Sequence, residues 1–278
     1  MLLAAVCFGV TIPLSKWVLD HDSASLPYAL VTIRFLCGGA LALPWALRRP
    51  PAAGEGRAAL TCAVPLLAGY LLLTVGLQYT TSAVSAFLSY LLVVIVPVIT
   101  AFTLRRLPSW PVLVGIVLSV AGLRLLTGGA SGFGLGEALS LGAALAFAVH
   151  VIALGHVAPR MDAVRLTSFQ LFAVGAAALP VALAVDGLSL PAAALAGAVG
   201  VAIANVAGLV LQTVGQRDVS PSRAALLLMV DPVVAAAGGY LLGERLGFGG
   251  LAGAALILAG IAAAETVGAS ASEASQRS

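Results

Sequence analysis

The stretch Ser220–Gly260, SPSRAALLLMVDPVVAAAGGYLLGERLGFGGLAGAALILAG, decides the fold class. It reads as a membrane hairpin: an apolar helix, a tight charged turn at Gly243-Glu244-Arg245, and a second apolar helix. Each apolar run is about 18–20 residues, which at about 1.5 Å per residue covers a hydrocarbon core of roughly 30 Å. One residue of the first run is foreign to lipid. Asp231, followed by Pro232, stands eight residues past Arg223, about 12 Å into the bilayer. A carboxylate at that depth is costly, so an ionisable group there points first to function.

An earlier stretch repeats the pattern. A shift of 138 residues lays Ser82 on Ser220, Arg106 on Glu244, Gly115 on Gly253 and Gly122 on Gly260. Pro97 falls on Ala235, three residues from Pro232, so the repeat has diverged. Farther upstream, Ala40–Pro44 resembles Ala176–Pro180, which sets Arg34 opposite Gln170. Gly69 and Gly76 fall on Gly208 and Gly215 once gaps of one to three residues are allowed. Internal duplication in a membrane chain points to transporter architecture, with the binding site between the halves.

Composition agrees. Of 278 residues, 61% are hydrophobic and 9% charged, against about a quarter charged in soluble domains. An ordinary soluble domain is excluded. The net charge of +3 carries no nucleic-acid signal, because basic residues in such a chain are distributed by topology. Cys7, Cys37 and Cys62 lie in apolar runs and read as small hydrophobes at helix contacts. No zinc, haem or redox spacing is present, so neither metal nor cofactor is expected.

Ten transmembrane helices are expected, over 2–19, 26–47, 58–77, 81–104, 111–127, 135–157, 164–185, 192–214, 223–242 and 248–266. Their connections are short and carry Pro, Gly or charge, as in Arg48-Arg49-Pro50-Pro51 and Arg105-Arg106-Leu107-Pro108. The fold class is therefore all-α integral membrane, in two five-helix repeats over 1–130 and 131–278, the second with a short cytosolic C-terminal tail. The first span begins at residue 2, which leaves no cytosolic tail ahead of it unless translation starts upstream. A cleaved signal peptide is not expected, since no basic residue precedes the run and nine spans follow.

Orientation follows from arginine. With the N-terminus inside, the inner loops and tail collect Arg48, Arg49, Arg57, Arg105, Arg106, Arg160, Arg165, Arg217, Arg223 and Arg277. The outer side keeps Lys16, Arg124 and Arg245. Ten against three is a clear positive-inside bias and puts both termini in the cytosol. Five spans per half is odd, so the halves run in opposite senses through the membrane: an inverted repeat.

The acid-Pro-Val of Asp231–Val233, the Gly-Glu-Arg-Leu of Gly243–Leu246 and the Gly-x6-Gly of Gly253–Gly260 resemble the closing hairpin of EamA-type transporters, in the drug/metabolite transporter superfamily. Ten spans in about 280 residues extend the resemblance over the whole chain. The first half departs from the pattern, with Arg105-Arg106 where Gly-Glu is common. The resemblance implies a monomeric or loosely dimeric carrier of metabolites, often an exporter of amino acids.

Asp231 leads the candidate residues. It can bind a proton or a cationic substrate group, or act as a structural partner for an arginine. Pro232 removes an N–H and is expected to break the helix, freeing backbone carbonyls to line a cavity. Arg34, eight residues into the second span, lies within about 6 Å of Asp231 in depth for a core of about 30 Å. It can pair with that carboxylate or clamp a carboxylate or phosphate of the substrate. His150, near the middle of the sixth span, can shuttle a proton or donate between helices. Asn205 can bind substrate through its amide or pack helices. Lys16, beside Trp17, can gate or contact substrate, or snorkel to the interface. Gln170 reads as an interhelical hydrogen bond and Glu137 as a helix N-terminal charge. His21 and Asp22 read as loop residues, and Glu244 with Arg245 shapes the outer turn. Gly239/Gly243 and Gly249/Gly253 offer small faces for helix packing.

The sequence holds no Walker A stretch, no His-Glu-x-x-His and no Gly-x-Ser-x-Gly. Together these readings predict a non-enzymatic secondary carrier in the cell membrane, working by alternating access. Its expected partners are the lipid bilayer and a small polar substrate such as an amino acid, moved outward. A lipophilic-cation exporter is the first alternative, lowered by an aromatic content of 6%. A non-transporting sensor or scaffold is the second.

Overall fold

The computed structural model describes residues 1–21, 26–48, 50, 53–103, 105, 107, 110–128, 133–188, 190–219 and 221–276, without the side chains of 21, 222, 226 and 264–276. Arg49, Pro51, Arg106, Pro108, Ser220, Arg277 and the loop residue Asp22, used in the sequence reading, lie outside the described residues.

The helices are α1 (Leu2–His21), α2 (Pro27–Leu47), α3 (Glu55–Gly76), α4 (Ser82–Ser89), α5 (Leu92–Thr103), α6 (Trp110–Leu126), α7 (Leu135–Val157), α8 (Ala163–Val185), α9 (Ala192–Gly215), α10 (Pro221–Leu227), α11 (Asp231–Leu241) and α12 (Phe248–Gln276). No strand occurs among the described residues. Among the described residues eight stretches are long and apolar enough to cross a membrane, and Trp110–Leu126 and Phe248–Ala263 are shorter apolar helices. The expected fourth and ninth spans are each split. Tyr90–Leu91 separates α4 from α5, and a 3-10 turn, Leu228–Val230, separates α10 from α11.

The surface is the reverse of a soluble protein's. Leu241, Phe248 and Leu251 are open to the outside, while Arg34, Gln170, Asn205 and His150 are buried. Apolar side chains outward and polar ones inward is the arrangement a bilayer selects, since lipid offers no hydrogen bonds.

Packing follows a reciprocal scheme. α1 packs on α9 and α3 on α7; α2 packs on α8, and α6 on α12. Glycine allows the closest approaches. A Cβ on Gly208 of α9 would stand 2.6 Å from the Phe8 ring of α1, and Gly69 of α3 seats the Phe147 ring of α7 in the same way. A Cβ on Gly122 would meet the Gly253 carbonyl at 2.7 Å, and one on Gly260 the Gly115 carbonyl at 2.8 Å. The α6–α12 contact is thus backbone against backbone, as small-residue faces permit in lipid.

The N-termini of α2, α4 and α7 have carboxylate partners. Asp186 accepts from the N–H groups of Tyr28 (2.7 Å) and Ala29 (2.9 Å) at the start of α2. Glu244 accepts from Ser82 N–H at 2.8 Å at the start of α4, so it does more than shape its own turn. Gly239 leaves room for that carboxylate. Glu137 accepts from Gly134 N–H at 2.9 Å at the start of α7. These contacts satisfy donors that a helix leaves unbonded, at its positive end. At the opposite end of the bundle, Arg165 grips Glu55 with two 2.7 Å bonds and donates to the Ala46 carbonyl, tying α8 to α3 and α2.

Candidate functional site

The two helix interruptions create the site. At the first, Leu91 N–H donates to the Leu88 carbonyl (3.1 Å), Val93 N–H to Tyr90 (3.1 Å), and Val94 N–H to Leu91 (3.0 Å). At the second, Asp231 N–H donates to the Leu228 carbonyl. These i to i−3 bonds tighten the chain without leaving those donors orphaned. Asp231 is the first residue of α11, and Pro232 follows in the first turn, where its missing N–H is not needed. The interruption expected at Pro232 therefore lies just ahead of it. The positive end of α11 favours a carboxylate at this position. α1 crosses close by: a Cβ on Gly9 would stand 2.6 Å from the Asp231 carbonyl.

Around these turns lies a small cavity of about 70 Å³. Phe8 and Phe147, the two rings seated in glycine notches, form part of its apolar wall. Its polar wall includes Asp231, His150, Tyr70, Tyr90, Gln212 and Ser89. Asp231 is 8% exposed and its Oδ1 has no hydrogen-bond partner. His150 is 2% exposed. Its Nδ1 lies 3.0 Å from the Cys62 carbonyl, and a carbonyl only accepts, so Nδ1 carries the proton. In the neutral imidazole Nε2 is then the accepting nitrogen, and it too is buried without a partner.

Arg34 and Asn205 form a second cluster, joined to the cavity through Tyr70. The Asn205 Oδ1 accepts from Arg34 (3.1 Å) and from the Tyr70 hydroxyl (2.8 Å). Arg34 also donates to Ser15 at 3.4 Å and stacks 4.4 Å from the centre of the Tyr70 ring. No ion pair joins Arg34 to Asp231 among the described residues. Similar depth had allowed that pair, but the guanidinium turns toward α9. Lys16 donates to the Leu77 carbonyl at 2.8 Å and pairs with Asp20 at 3.2 Å. It fastens α1 to the C-terminal end of α3, where a cation is favoured, and does not line the cavity. Gln170 is fully buried, with neither amide atom hydrogen-bonded.

Sequence reasoning missed Tyr70, Tyr90, Ser89 and Gln212. Gln212 had a visible signal, a Gln-x-x-x-Gln pair with Gln216 inside an apolar run; the two side chains bond at 2.9 Å, and Gln216 reaches the Val151 carbonyl at 3.0 Å.

A helical membrane bundle with a polar-tipped cavity at mid-span is the form of a small-molecule carrier. The EamA-like transporter family model matches this sequence twice, over residues 1–128 and 134–265. The chain belongs to that family and is a multi-pass membrane protein. An uncharacterized transporter of Archaeoglobus fulgidus is 28% identical over 172 residues, which is 62% of this chain and 53% of that protein. The matched region thus spans about half the length of that relative. A solved crystal structure aligns with a TM-score of 0.68 over 95% of this chain and 97% of its own, at 17% identity, which speaks to fold alone.

Proposed function

We propose that the chain is a secondary carrier of ten crossing segments, built as two inverted five-segment halves that rock about the central cavity. The observation that carries this reading is the convergence of two interrupted helices on a buried carboxylate and imidazole, in which Asp231 Oδ1 and His150 Nε2 have no partner. Broken helices meeting at mid-membrane are the usual setting of a transporter site. The reciprocal packing supports the inverted halves. Phe8 in the Gly208 notch answers Phe147 in the Gly69 notch, and a shift of 138 residues lays the Tyr90–Leu91 interruption on Leu228–Met229. Residues 1–130 and 131–278 are taken as the halves, with the eight long spans and two shorter apolar helices as the segments. Both termini face the cytosol by the arginine distribution, in the cell membrane, and the cargo is a small metabolite moved outward.

The test is solute release from proteoliposomes preloaded with amino acids, polyamines and quaternary amines, followed by mass spectrometry of the medium. The wild type should release a subset faster than protein-free liposomes, and Asp231→Asn should not. Release of every solute at the protein-free rate would sink the carrier reading.

A further inference from the structure

We infer that the cavity takes organic amines with an apolar body and no free carboxylate, and discriminates against the parent amino acids. This rests on the carrier reading above and names the cargo of that site.

The argument is a count of donors and acceptors. Tyr90 gives its hydroxyl proton to the Ala225 carbonyl (3.1 Å), Tyr70 to Asn205 (2.8 Å), Ser89 to Ala86 (3.0 Å) and Thr11 to Phe8 (2.7 Å). Gln212 commits one amide hydrogen to Gln216. The backbone at the interruptions is closed as well, with the N–H groups of Val93, Val94, Ile95 and Asp231 all bonded. The wall therefore presents acceptors: the Asp231 carboxylate, His150 Nε2, the hydroxyl lone pairs and the Gln212 carbonyl. An ammonium group, with up to three N–H donors and a positive charge, completes that set.

A carboxylate finds no such complement. Among the described residues that line the cavity, none is lysine or arginine. Arg34 and Lys16 stand outside the lining: Arg34 donates to Asn205 and Ser15 behind the Tyr70 ring, and Lys16 to Leu77 and Asp20. A zwitterion would bring its anion into a cavity that already holds one carboxylate, with the second amide hydrogen of Gln212 as the remaining donor. Burying a charge without a partner is costly, so the carboxylate should count against binding. The rest of the wall, with Phe8, Ile12, Leu66, Phe147 and Leu209, suits a hydrocarbon or aromatic body.

The experiment is the melting temperature of the detergent-purified chain with phenethylamine, L-phenylalaninamide, L-phenylalanine and 3-phenylpropionate, and with isoamylamine against L-leucine. A ligand of the folded state raises the midpoint by mass action. Well above its Kd each amine, and the amide, should raise it by about 4 °C or more. The amino acids should give at most a small rise and phenylpropionate none. Asp231→Asn should lose the amine response, which also controls for amine partitioning into micelles. Phenylalanine or phenylpropionate stabilising as well as phenethylamine would overturn the inference while leaving the release assay to judge the carrier. No response to any member, or an undiminished amine response in Asp231→Asn, would overturn it too. Should Asp231→Asn fail to fold, the wild-type ligand series decides alone.

Discussion

Asn205 shows how single residues set this interior. One amide oxygen takes both the Arg34 guanidinium and the Tyr70 hydroxyl, and so anchors the side chain that separates the cation from the cavity. Asn205→Leu keeps the branched shape but strands both donors, one of them charged. It should lower stability by about 2–3 kcal/mol, read as a lower melting temperature, and should weaken amine binding as Tyr70 is released. An unchanged midpoint would mean that Arg34 finds another partner. At this scale much was legible. Asp231, His150, Arg34 and Asn205 stand out because charge and amide are rare in apolar runs. Ser89 and Thr11 did not stand out, since short hydroxyls in apolar helices ordinarily bond nearby carbonyls; nor did Tyr70 and Tyr90, since a tyrosine ring fits an apolar run as well as a polar site. Depth along a helix could be read, but direction around it could not. That is why the pairing of Arg34 with Asp231 stayed open and the guanidinium was found against Asn205.

Elements here are fitted by glycine. Gly69 and Gly208 were visible as aligned positions; that each would seat a phenylalanine of a distant helix was not, because a notch carries no sign of what fills it. Gly208→Ala and Gly69→Ala each drive a methyl into a ring. Overpacking of this kind should cost about 1–3 kcal/mol, and the displaced Phe8 or Phe147 should crowd the cavity and weaken ligand binding. Gly56→Ala is the control: nothing lies within 4 Å of the added carbon, and alanine is the better helix former, so stability should hold or rise. If all three variants melt alike, the notches do not hold the helices together. The interruption of the fourth span was not legible, because Tyr90–Leu91 carries no proline or glycine. Its partner at Leu228–Val230 could be sensed only through Pro232, which marks where the helix resumes. Tertiary packing, with Tyr90 bonded across to Ala225, stabilises a break that local sequence does not announce.

For the whole molecule, the sequence conveyed an all-helical membrane bundle and the family it resembles. The arginine distribution further suggested the sense of each segment. What it lacked was the lateral arrangement of helices, which decides that α1 meets α9 and α3 meets α7. That packing puts Phe8, Phe147, His150 and Asp231 around one cavity. Fasteners lie at both ends, Lys16 on Leu77 toward one and Gln216 on Val151 toward the other. Two fastened ends around a central cavity are what a rocking carrier would open in turn.

The most direct measurement is the accessibility of that cavity from each face. Ser89, which lines it, is changed to cysteine in a chain whose Cys7, Cys37 and Cys62 are replaced by alanine, and vesicles of both orientations meet a membrane-impermeant maleimide. The account predicts labelling from both faces, slowed by phenethylamine on either side. Labelling from one face only, or from neither, would contradict it.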